Sequence, residues 1–77
     1  MHEKFYINHY TLAAEQVALE LKISEAEAYA TVRFVDSIMT ERIPEDEIER
    51  VKQLVEKTLE MHNDGHLDTK AIFNRNR

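Results

Sequence analysis

Apolar positions recur with a helical period in three stretches of the chain. From Leu12 to Leu21 the residues are good helix formers, and Thr11 is placed to cap the start. Ala14, Val17, Ala18 and Leu21 share one face of this helix, while Leu12 and Leu19 fall on nearly the opposite one. A helix with two apolar faces needs two neighbours, and so small a chain has little core of its own, so a homodimer is expected. The second stretch opens at Ser24, followed three residues later by Glu27 in the reciprocal capping arrangement, and is expected to run to about Thr40. Its stripe is Ala28, Val32, Val35 and Met39, with Thr31 and Ile38 beside it. The third is expected to begin at Pro44, where a missing N–H does no harm, with Glu45, Asp46 and Glu47 complementing the positive helix end. Its stripe is Ile48, Val51, Val55, Leu59 and His62, flanked by Leu54 and Met61. Asn63-Asp64-Gly65 closes it, with Gly65 free to turn left-handed.

The two ends read differently. Phe5 to Tyr10 is aromatic and alternating, which suits an extended arm or short strand, and His66 to Arg77 reads as a polar tail that docks Ile72 and Phe73. The expectation is an all-α fold: a small three-helix domain with short extended arms at both ends. Residues 1–10 form the N-terminal aromatic arm, 11–64 the core and 65–77 the tail. One glycine and one proline in 77 residues agree with long helices rather than a turn-rich β fold.

Charge and composition narrow the function classes. Fifteen acidic against ten basic side chains leave a formal net charge of −5, and there is no cysteine, which removes disulfides, thiolate zinc sites and a thiol nucleophile together. No apolar run approaches the roughly 18 residues of a membrane span, and Met1-His2-Glu3-Lys4 does not lead into an apolar signal core, so a cytoplasmic location is expected. Two serines, one of them assigned to a cap, and the lack of a glycine-rich phosphate cradle argue against an enzyme. His62, Asp64, His66 and Asp68 alternate at the end of the third helix. Their spacing is not that of a standard site, and aligning Gly65 with the invariant glycine of a calcium loop puts Ala71 where the bidentate glutamate must be. Neither a metal nor a cofactor is expected.

Ala14 to Arg33 combines a helix, a tight break and a capped helix, and in this it resembles a helix-turn-helix unit. Ala18 stands where the family carries a small residue, Leu21 and Ile23 bracket the turn, and Ser24 caps the second helix. The resemblance covers about 20 of the 77 residues. Lys22 occupies the turn where glycine is usual, and Val32 carries the core one step late. The resemblance implies a first helix pair of that kind, with Glu25, Ala26, Tyr29, Ala30 and Arg33 toward the major groove and a dimeric transcription regulator as the alternative function. Charge opposes it: between Glu15 and Glu60 there are twelve acidic and six basic side chains, whereas phosphate contacts need a basic surface.

The leading expectation is a protein that binds another protein, as an adaptor, inhibitor or antirepressor. Ala26 and Ala30 let a partner come close while Tyr29, Arg33 and the flanking Phe34 supply anchors of the usual interface types. Phe5, Tyr6 and Tyr10 of the arm join them. The acidic flanks suggest a partner with a basic surface.

Overall fold

A computed structural model describes residues 8–39, 42 and 44–75. Among them all regular structure is helical, in four helices: α1 (His9–Leu21), α2 (Glu25–Ile38), α3 (Glu47–Asn63) and α4 (Thr69–Arg75). Helix α1 lies against α2 and α3, and α2 touches all three others, so α2 is the organising element.

The helix ends follow their caps. Asn8, not Thr11, caps α1: its Oδ1 accepts from the Thr11 N–H at 3.0 Å, so His9 and Tyr10, expected in an extended arm, open a helix instead. An Asx side chain caps at least as well as threonine, and the earlier start lets Tyr10 reach α2. Phe5 and Tyr6 lie outside the described residues. At the far end Lys22 adopts the left-handed conformation (φ 59°, ψ 47°), and its N–H and that of Ile23 both turn back to the Ala18 carbonyl. That closes α1 as a glycine would, at the steric expense a Cβ incurs there.

Ser24 Oγ accepts from the Glu27 N–H at 3.1 Å and starts α2 as expected, but the Glu27 carboxylate does not reach back. It accepts the Thr69 hydroxyl at 2.5 Å, tying the start of α2 to α4. Helix α2 stops at Ile38, with Met39 already extended. Pro44 precedes α3 rather than joining its first turn; Asp46 is the cap, and the Arg50 guanidinium holds the Pro44 carbonyl through Nε at 3.2 Å and Nη2 at 3.0 Å. Gly65 (φ 81°) ends α3 in the left-handed conformation expected of it.

The tail, expected as an extended arm, forms α4. Asp68 caps it, accepting the Ala71 N–H at 3.2 Å, and Leu67 and Ile72 bury against Val35. Seven residues make a marginal helix in water, so this docking and not propensity holds it.

The main core gathers Ala13, Ala14, Val17 and Ala18 of α1 with Ala28 and Val32 of α2 and Leu54 of α3. Four alanines on two facing helices allow close approach. The expected α3 stripe is corrected by one step around the helix: Leu54 and Thr58 are its buried residues, Val51, Val55, Leu59 and His62 are half-buried, and Ile48 is 70% exposed. Packing against α1 and α2 together selects the line between those two neighbours.

Candidate interaction surfaces

The α2 face opposite the core is not bare. Together with α4 it forms a groove of about 540 Å³, with Ala26, Tyr29, Ala30 and Arg33 along the α2 side and Phe73 and Arg75 across from them. Phe34 and Ser37 complete the α2 wall, Ser37 donating from Oγ to the Phe34 carbonyl at 2.7 Å. All five α2 residues expected at an interface therefore line one concave surface. Its opposite wall was missed, because the tail does not read as a helix. Asp68 followed by Thr69-Lys70-Ala71-Ile72-Phe73, a capping residue before an apolar group, was the available signal.

The face is also less free than its spacing suggests. Tyr29 packs on the main core and meets the Tyr10 ring edge-on, with centroids 6.2 Å apart. The Arg33 guanidinium sits over the Tyr10 ring at 5.2 Å from its centroid, within cation–π range. Tyr10 donates its hydroxyl to Asp36, 26 residues further along the chain. This hydrogen bond first, then burial and the Asp36 charge, hold the Tyr10 phenol above its ordinary pKa, while Arg33 and Arg50 pull the other way. Tyr10 is thus a strut between α1 and α2, and Tyr29 has a folding role as well as a place on the groove.

Of the residues that the helix-turn-helix resemblance would aim at DNA, Glu25, Ala26 and Arg33 are exposed and Tyr29 and Ala30 are half-buried. Glu25 and Glu27 stand in the first turn of α2, where a reading helix would approach phosphates.

A second surface lies on α1 and α3. Leu12 is 41%, Leu19 78% and Ile48 70% exposed, and Leu12, Ile48 and Val51 line a shallow cleft flanked by Glu47 and Lys52. The second apolar side of α1 thus stays uncovered among the described residues.

At the α3 exit the two aspartates sit at helix ends, while the His62 Nδ1 is buried without a hydrogen-bond partner among the described residues. Asp64 occupies the C-cap position of α3 and Asp68 caps α4. Among the described residues no group of three or more His, Asp or Glu side chains converges on a point where a metal would sit. No helix of the described residues is long and apolar enough to cross a membrane.

Compared with known proteins, the chain matches no family model, no curated protein and no solved structure.

Proposed function

We propose that the protein acts by binding another protein in the α2–α4 groove, as an adaptor, inhibitor or antirepressor that occupies a surface its target needs. The observation that carries this reading is the lining. Small Ala26 and Ala30 form an open floor, and Tyr29, Arg33, Phe34, Phe73 and Arg75 surround it. Tyrosine, phenylalanine and arginine are residue types that concentrate in protein interfaces, and a groove between two helices is a common seat for a peptide or helix. The acidic first turn of α2 favours this over the dimeric helix-turn-helix alternative, which would press Glu25 and Glu27 toward phosphate.

A photo-crosslinking side chain placed at exposed Ala26, on the groove floor, should capture a defined partner from the native host. The same probe at Glu56, on the outer face of α3, should not. Adding Arg75→Glu to the Ala26 probe should abolish capture while the circular dichroism spectrum stays helical. Capture from Glu56 alone, or a salt-sensitive shift of labelled duplex DNA with no protein captured, would refute the reading.

A further inference from the structure

The groove differs in charge from the rest of the chain. The protein carries a formal net charge of −5, yet among the residues that line the groove there are two arginines and no acid. Neither guanidinium lies within ion-pair distance of a carboxylate among the described residues. Arg33 is steadied by the Tyr10 ring beneath it, so part of its ordering is already in place before a ligand arrives.

We infer that the occupant is a short acidic segment of another protein that carries a large apolar anchor. This rests on the protein-binding reading above and adds the sign of the partner. The α2 wall from Ala26 to Ser37 is about 17 Å long, three helical turns, which matches a short peptide segment rather than a broad domain face. The apolar anchor enters over Ala26 and Ala30, between Phe34 and Phe73. Carboxylates of the segment meet Arg33 and Arg75, whose planar forks suit bidentate pairing. Net charge alone points to a basic target. Screening confines electrostatic selection to about 8–10 Å, however, so the lining decides which side chains are accepted at contact.

The test is a display selection of random peptides of about a dozen residues on the full chain, run in parallel on an Arg33→Glu/Arg75→Glu variant. Peptides recovered on the native chain should combine Asp or Glu with Leu, Phe or Trp. A synthetic copy should shift the amide signals of Ala26, Ala30 and Phe73, and should lose about tenfold or more in affinity both on the variant and in high salt. If Arg33→Glu disturbs the Tyr10 contact and the variant does not fold, Arg75→Glu alone, at the exposed end of α4, carries the comparison. Neutral or basic peptides that bind the groove of both proteins equally would overturn the acidic partner and leave the protein-binding reading standing. No recovered peptide, or peptides that shift signals elsewhere, would overturn both. Labelled duplex DNA perturbing the same amides in an Arg75-dependent way, with no peptide doing so, would replace the peptide by nucleic acid.

Discussion

Replacing Tyr10 with phenylalanine removes one oxygen and leaves the ring that meets Tyr29 and lies under Arg33. The hydroxyl it removes donates to Asp36 and links α1 to α2. A hydrogen bond to a charged group contributes about 1.5–3 kcal/mol. Asp36 is only half-buried, so water can satisfy the freed carboxylate, which places the expected loss near the lower bound, about 1.5 kcal/mol. For a domain of this size each kcal/mol moves Tm by roughly 4–8 °C, so the variant should melt about 6–12 °C below the native chain at neutral pH. The pH dependence supplies an independent check. The Tyr10 phenol is raised in the folded state above its ordinary value of 10.0. Its contribution to stability is therefore complete below pH 10 and is lost as pH climbs through the higher folded value. Above pH 10 the native chain should destabilise more steeply than Tyr10→Phe, and the two melting curves should converge. Circular dichroism melts read the stability, and tyrosinate absorbance should lose its late-titrating step in the variant. Equal Tm at neutral pH, or parallel decline of both proteins in alkali, would show that the Tyr10–Asp36 strut carries no weight.

Thr58 is fully buried and its Oγ1 has no partner among the described residues, whereas Thr31, equally buried, donates to the Glu27 carbonyl at 2.9 Å. Thr58→Val should therefore raise stability by about 1 kcal/mol and Thr31→Val should not, as read from paired urea unfolding curves; a loss at both sites would contradict the assignment. Lys22→Gly should stabilise by about 1 kcal/mol by relieving the left-handed conformation at φ 59°, and an unchanged or lower Tm would mean the turn relaxes at no gain. Exposed Leu19 on α1, together with the cleft of Leu12 and Ile48 flanked by both Glu47 and Lys52, suits a second copy of the chain. Sedimentation should show more than one chain per particle and a monomer after Leu19→Lys with Ile48→Lys; a native monomer at high concentration would exclude it.

What could be read from the sequence alone is what depends on neighbours in the chain. The three long helices follow from apolar spacing, the Ser24 cap from an oxygen three residues before the N–H it accepts, and the end of α3 from Gly65, the residue best suited to φ 81°. The shared face of Ala26, Tyr29, Ala30 and Arg33 is likewise a matter of helical period. The second wall of the groove was hidden, since seven residues are too few to show a period and α4 exists because Leu67 and Ile72 bury against Val35. The line through Leu54 and Thr58 was hidden for a related reason: neighbouring lines on α3 both carry apolar residues, and only contact with α1 and α2 together chooses between them. Tyr10 read as part of an arm because Asp36, the residue that gives its hydroxyl a purpose, lies 26 positions away. Local periodicity and capping act over one or two turns of chain, but burial and long-range hydrogen bonds exist only once the helices have met, so the helices were legible in advance and the groove was not.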